Sequence, residues 1–145
     1  MEEFKVKILL DAMGGDNAPD ANIKGALNAI NKIKAEVILI GKEEIIRKKI
    51  KEFTGKEIEE VSDRLKIRNA TETIEMTDTP TVAIKHKKDS SMVVGFKMLK
   101  EGEGDVFISA GNSGALLTGA TLLEMCIRDR YHMLETDMKK LWLKN

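Results

Sequence analysis

"FKVKILLDAMGGDNAPDANIKGAL", residues 4–27, passes from an apolar run through a polar, glycine-rich turn into a helical pattern. Phe4 to Leu10 starts with alternation and becomes continuously apolar, as a strand covered on both faces does. Asn17 is placed to cap a helix, Pro19 suits its first turn, and Asp20 favours the positive end of the helix dipole. Ile23, Ala26, Leu27, Ile30 and Ile33 then fall on one helical face. Gly25 costs about 1 kcal/mol against alanine inside a helix, which is explained if it allows close packing on a sheet.

The same alternation continues outward. "EVILIG", Glu36 to Gly41, is a second buried strand. The helix after it has an apolar stripe of Ile46, Ile50 and Phe53 and a glycine stop at Gly55. Leu65 to Ala70 reads as a third strand, and a turn then leads to a helix opening at Pro80. Asp89 or Ser90 caps the next helix, in which Met92, Phe96 and Leu99 share a face before Gly102 ends it. Asp105 to Gly111 is a fourth strand, followed by a helix from "NSGALL". Strand and helix in strict alternation specify an α/β fold: a parallel sheet with helices on both faces, a Rossmann-like three-layer sandwich with right-handed crossovers.

Composition narrows the function classes. A chain of 145 residues is long enough for one α/β core. Its 24 basic and 24 acidic residues balance, which predicts no general affinity for nucleic acid or an anionic membrane. No apolar run has a spanning helix's length and no secretory leader is recognisable, so a cytoplasmic protein is expected. Cys126 is the single cysteine, which excludes an internal disulfide and a multi-cysteine metal site. With aromatics at 4%, the core must rest on aliphatic side chains, and the methionines, Met92 and Met98 among them, are expected to fill it.

Ligands of open α/β sheets bind outside the carboxyl ends of the strands. Two loops fall there: "DAMGGDNAP", Asp11 to Pro19, and "SAGNSGA", Ser109 to Ala115. Glycines let a backbone approach a ligand closely, and unpaired N–H groups at a helix start seat an anion such as phosphate. Each loop alone serves equally well as a tight turn with helix caps. Asp11 and Asp16 repel an anion directly, so they must orient N–H groups, hold a lysine or bind a metal. The dinucleotide fingerprint and the P-loop are absent, so no nucleotide cofactor is expected. Met13 stands where an aspartyl-phosphate motif needs its second aspartate. "GNSGA" approaches a nucleophile elbow, but Ala115 replaces its last glycine and His86 and His132 supply no convincing base. "KHKKDSS", Lys85 to Ser91, offers cations and hydroxyls to phosphate, or is a solvated helix end with a serine cap.

Taken in series, "DAMGGDNAP", "IEMTDTP" (Ile74 to Pro80), "KKDSSM" (Lys87 to Met92) and "SAGNSGAL" (Ser109 to Leu116) resemble the acyl-(acyl-carrier-protein):phosphate acyltransferases of bacterial phospholipid synthesis, the PlsX type. The resemblance covers about residues 5 to 123. Thr77 stands where the family usually has a second acid, and Lys85 and His86 where arginines are common. Ser113 replaces a frequent threonine and keeps the hydroxyl. The family is much longer, so residues 1–123 are expected to be the N-terminal part of its domain. Residues 124–145 do not resemble its continuation and are a candidate artefact, since "MCIRDR" is similar to adapter-derived read-through. Cys126, Arg128 and His132 therefore receive no roles.

The resemblance implies transfer of an acyl group from acyl carrier protein to inorganic phosphate, by a homodimer with no metal and no cofactor. Nucleic acid is not a partner, and membrane contact is peripheral at most. Lys87, Lys88, Asn112 and Ser113 become candidate catalytic residues. Asp11, Gly14, Gly15, Asp16, Asn17, Ser90, Ser91, Gly111 and Gly114 become candidate substrate-binding residues. The chain alone is expected to be inactive and to expose apolar sheet edges. Two alternatives stay open: a phosphate acetyltransferase-like enzyme using coenzyme A thioesters, and a non-catalytic phosphate-binding α/β module.

Overall fold

The computed structural model describes residues 6–122; the expected tail, Cys126, Arg128 and His132, together with Phe4 and Lys5, lie outside them. In chain order the elements are β1 (Val6–Asp11), α1 (Asp20–Ile30), β2 (Ala35–Gly41), α2 (Glu43–Thr54), α3 (Ile58–Val61), β3 (Leu65–Asn69), α4 (Pro80–His86), α5 (Ser91–Glu101) and β4 (Val106–Ile108). A further helix, α6, begins at residue 113 and continues to the last described residue, 122.

The four strands form one parallel sheet in the order β3-β2-β1-β4. Parallel register decides which side chains share a face. Ile8 stands opposite Val37 and Val106, and Leu9 opposite Ile38 and Phe107. On the first face Val37, Leu39 and Leu65 pack with Ile23, Ala26 and Ile30 of α1 and with Ile46, Ile50 and Ile58. On the second face Leu9, Ile38 and Ile40 pack with Val94 and Met98 of α5. Every residue of β2 is buried, because helices cover both its sides. The expected three layers are therefore present. A third cluster joins Ala83 of α4, Met92, Val93 and Phe96 of α5, and Ala115 of α6.

Local signals explain most boundaries. Gly55 and Gly102 take left-handed conformations after α2 and α5, where an alanine would be strained. Ser90, rather than Asp89, caps α5, its Oγ accepting the Val93 N–H at 3.3 Å. The short α3 escaped the periodicity reading because four residues show no period; a reciprocal Glu57–Glu60 capping box marks its start.

Several expectations are corrected. Pro19, not Asn17, is the N-cap of α1; Asn17 contributes its carbonyl to the Ala21 N–H at 3.0 Å. Ile33 lies past the end of α1, which stops at Ile30, and is 38% exposed. β4 is three residues long rather than seven, because its chain turns into the second glycine loop after Ile108. Met92 and Met98 are buried as expected, but Met76 is exposed. Val106 and Ile108 of β4 are exposed on the first face, where no described helix lies over them. Among the described residues no helix is long and apolar enough to cross a membrane.

Gly25 does not serve close packing either: a Cβ built there meets nothing within 4 Å. Gly25→Ala removes backbone freedom from the unfolded chain at no steric cost. It should raise the unfolding free energy by about 0.4–1 kcal/mol in denaturant titration; a loss of stability would contradict the open environment.

Candidate functional site

Strand order places the two glycine loops. The chain runs outward from β1 to β2 to β3, then returns to the other side of β1 as β4. The carboxyl ends of β1 and β4 therefore flank the point where the strand order reverses, the ligand-binding crevice of open α/β sheets.

Asp11 ends β1 with its side chain inside the protein, 2% exposed. A carboxylate without water needs hydrogen bonds to its charged form. Its Oδ1 accepts the Met13 N–H at 3.1 Å, and its Oδ2 accepts the Ser109 hydroxyl at 2.7 Å. The Ser109 Oγ in turn accepts the Gly111 N–H at 3.1 Å. Gly14 lies directly on this group. A Cβ there would sit 2.5 Å from Asp11 Oδ2 and 2.9 Å from the Gly111 nitrogen, so only glycine fits. Gly15, at φ +104°, abuts Ala110 of the opposite loop.

From α1, the Asn22 side-chain amide reaches back and donates to the carbonyls of Asp11, Ala12 and Gly14, at 3.2, 3.2 and 2.8 Å. A trans peptide points its C=O and N–H in opposite directions. With the Gly14 carbonyl turned to Asn22, the Gly15 N–H faces the other way. Among the described residues the N–H groups of Gly14, Gly15 and Asp16 have no hydrogen-bond partner. Asp11 orients the loop; the Asp16 carboxylate is exposed and makes no ion pair or hydrogen bond there, and the Asn17 side chain is likewise exposed.

Asn112 organises the second loop in the same way. Its Nδ2 donates to the carbonyls of Glu75, Met76 and Asp78 at 3.2, 3.3 and 3.0 Å. Its Oδ1 caps α6 by accepting the Ala115 N–H at 3.0 Å. The amide is thus fully engaged, and the Gly111 N–H is taken by Ser109. Ser113 is exposed at the start of α6, and the N–H groups of Ser113 and Gly114 have no partner among the described residues. Gly114 packs on Pro80, leaving 2.6 Å between a built Cβ and the proline Cγ.

The basic segment reaches the crevice through the turn that Asn112 holds. Lys85 and His86 close α4. The Lys87 ammonium donates to Asp78 at 2.5 Å and to the Thr73 carbonyl at 2.9 Å. Asp78 also accepts the Glu75 N–H at 2.8 Å. These bonds, that from Lys87 foremost, hold the Asp78 carboxyl below the usual aspartate range. Asp89 is likewise lowered, by the Thr71 hydroxyl first and the Thr71 N–H second. Ser90 and Ser91 are buried under the start of α5, and Lys88 is exposed with its ammonium unpaired among the described residues. No group of three or more His, Cys, Asp or Glu among the described residues could hold a metal ion.

The structure therefore brings Asp11, Gly14, Gly15 and Gly111 into contact. It links Asn112, Gly114 and Lys87 to them through residues 75–80, and keeps Ser90 and Ser91 in structural positions. Asn22, Ser109 and Asp78 were missed as site residues. Asn22 had a local signal, an amide in the first turn after a glycine loop; the others depend on which strands are neighbours.

The Asp78–Lys87 pair has a pH signature. Asp78's folded carboxyl lies below its unfolded value, so the stabilisation is present above that unfolded value, about pH 3.9, and is lost as pH falls through the folded one. Lys87→Met should lower stability at neutral pH and flatten the acid limb of the unfolding midpoint against pH. An unchanged limb would show that the pair contributes nothing.

Known proteins can be set against this geometry. The family described as fatty acid synthesis protein matches residues 6–129. The phosphate acyltransferase of Acetivibrio thermocellus is 56% identical over 117 residues, covering 80% of this chain and 33% of that protein. Those of Clostridioides difficile and Caldanaerobacter subterraneus are 47% and 49% identical over 114 and 119 residues, covering 79% and 81% of this chain. The chain spans about a third of the length of the curated relatives it matches. Because the matched residues include both glycine loops and the turn between them, the chain belongs to the fatty acid synthesis protein family, the PlsX-type family whose curated relatives are named phosphate acyltransferases.

Proposed function

We propose that the full-length protein carrying this segment transfers a fatty acyl group from acyl carrier protein to inorganic phosphate, and that residues 6–122 supply the phosphate-facing part of its site. The acyl phosphate produced feeds phospholipid synthesis. The observation that carries this reading is the crevice between β1 and β4, where unpaired N–H groups stand on both sides: Gly15 and Asp16 on one, Ser113 and Gly114 on the other. The second pair also lies at the positive end of α6.

The chemistry asks for little else. A phosphate oxygen attacks the thioester carbonyl carbon, a C–O bond forms, and charge moves to the carbonyl oxygen. Collapse of that oxyanion breaks the C–S bond, and the carrier thiolate leaves and takes up a proton. Phosphate is the nucleophile, so the protein's task is to orient it and stabilise the oxyanion. Lys88 is free to neutralise phosphate, and Lys87 joins it by exchanging Asp78 for the ligand. The exposed Ser113 hydroxyl donates to phosphate or the oxyanion. Asn112 and Ser90 support the site through the backbone they hold, Ser91 is buried beside Ser90 at the start of α5, and Asp11 keeps both loops in register. We further propose a cytoplasmic homodimer with at most peripheral membrane contact.

Combining Lys87→Ala with Ser113→Ala in the full-length protein should lower kcat/KM for phosphate by on the order of 10²-fold. An unchanged rate would remove both residues from the site. Acyl-carrier-protein and coenzyme A thioesters assayed side by side separate the proposed enzyme from a phosphate acetyltransferase-like one. Phosphate binding without turnover of either would make the protein a binding module.

A further inference from the structure

Ser109 follows β4 directly, and the register that sets Leu10 opposite Ile108 brings it beside Asp11. We propose that Ser109 is a positioning residue for the phosphate seat, acting through Asp11 to lock the loops after β1 and β4 into one unit; this rests on the phosphate reading above.

Three observations carry it. First, the hydroxyl is committed in both directions. The Gly111 N–H can only donate, so the Ser109 oxygen accepts it at 3.1 Å, and the Ser109 hydrogen is donated to Asp11 Oδ2 at 2.7 Å. A group used in this way has no donor left for a ligand and acts through its partners. Second, each loop is otherwise fastened to its own surroundings. Asn22 gathers the first loop onto α1, and Asn112 ties the second to residues 75–78. Among the described residues, Ser109 to Asp11 is the one side-chain hydrogen bond that joins the two loops. Third, the loops meet with no slack. Cβ positions built on Gly14 and Gly15 fall 2.9 Å from the Gly111 nitrogen and 3.0 Å from the Ala110 oxygen. Donors for a single anion come from both loops, so their spacing sets how many can reach it at once. Hydrogen-bond strength falls off within a few tenths of an ångström of optimum, and loss of the latch lets the two donor sets drift apart.

The test uses the 145-residue chain, inorganic phosphate as probe, and amide-resolved NMR. Ser109→Ala leaves a carboxylate oxygen and the Gly111 N–H without partners. Ser109→Thr keeps the hydroxyl. Ile50→Val trims the core under α2 and controls for general loss of stability. The expected result is phosphate-induced shifts at Gly15, Asp16, Ser113 and Gly114, with affinity about tenfold weaker in Ser109→Ala. Ser109→Thr should restore that affinity, and Ile50→Val should leave it unchanged. Wild-type affinity in Ser109→Ala, or equal weakening in Ile50→Val, would overturn the positioning role while the phosphate seat stands. If the wild-type chain shows no phosphate shifts, the seat reading fails, and hydrogen exchange without ligand still decides the latch. Roughly tenfold faster exchange at Met13, whose N–H is held by Asp11 at 3.1 Å, in Ser109→Ala, but not in Ser109→Thr, supports it; unchanged exchange overturns it.

Discussion

A carboxylate removed from water is the constraint around which the site is built. Asp11 sits at the end of a strand flanked by neighbours on both sides, almost wholly buried. Leaving such a group without donors costs several kcal/mol, so the surrounding chain must supply them. The Met13 N–H forces the first loop to fold back over Asp11, and the Ser109 hydroxyl requires β4 to end beside β1. Gly14 follows from the same constraint, since the returning backbone passes too close to the carboxylate for any side chain. One charge thereby fixes a turn, a strand neighbour and a glycine.

Two asparagines complete the arrangement by a shared principle. Each collects three carbonyl oxygens from a loop, Asn22 from residues 11–14 and Asn112 from residues 75–78. In a planar peptide, gathering the acceptors on one side turns the donors to the other. The loop around Asn22 shows each outcome. Beyond the Asp11 carbonyl, the Ala12 N–H continues the sheet to Ile40, and beyond the Ala12 carbonyl the Met13 N–H meets Asp11. Beyond the Gly14 carbonyl, the Gly15 N–H is left open.

Most of the fold was legible because its signals are local. Alternating apolar runs and helical stripes located β1 to β3, α1, α2 and α5, and Gly55, Pro80 and Gly102 marked ends that the backbone confirms. Errors arose where local signals competed. Asn17 and Pro19 both suit a helix start, and the chain uses the later one. Ile33 keeps the helical period but lies beyond the stop at Asn31. Gly25 suggested close packing, and only three dimensions show that it faces open space. The candidate site was legible as two loops but not as a network. That Ser109 meets Asp11, 98 residues away, follows from β4 crossing back to the far side of β1, and no spacing in the sequence encodes that neighbour. Sequence reading offered Ser90 both as a helix cap and as a phosphate donor, and Asn112 as a donor only; in the structure both cap helices.

The division of labour between side chains and backbone follows from stability. A buried N–H without a partner is destabilising, so a seat made of free donors survives only where water reaches them before the ligand does. Gly15 and Gly114 are half-buried, and Asp16 and Ser113 are exposed. Behind them the Asp11 carboxylate and the Asn22 and Asn112 amides have partners within the protein. Among the described residues no buried side-chain polar atom lacks a partner. On the proposed reading, an anion in the crevice would meet donors whose directions are already set, and little ordering of the loops would oppose its binding. The interior polar groups that look most like catalytic machinery are therefore those that make the exposed backbone useful.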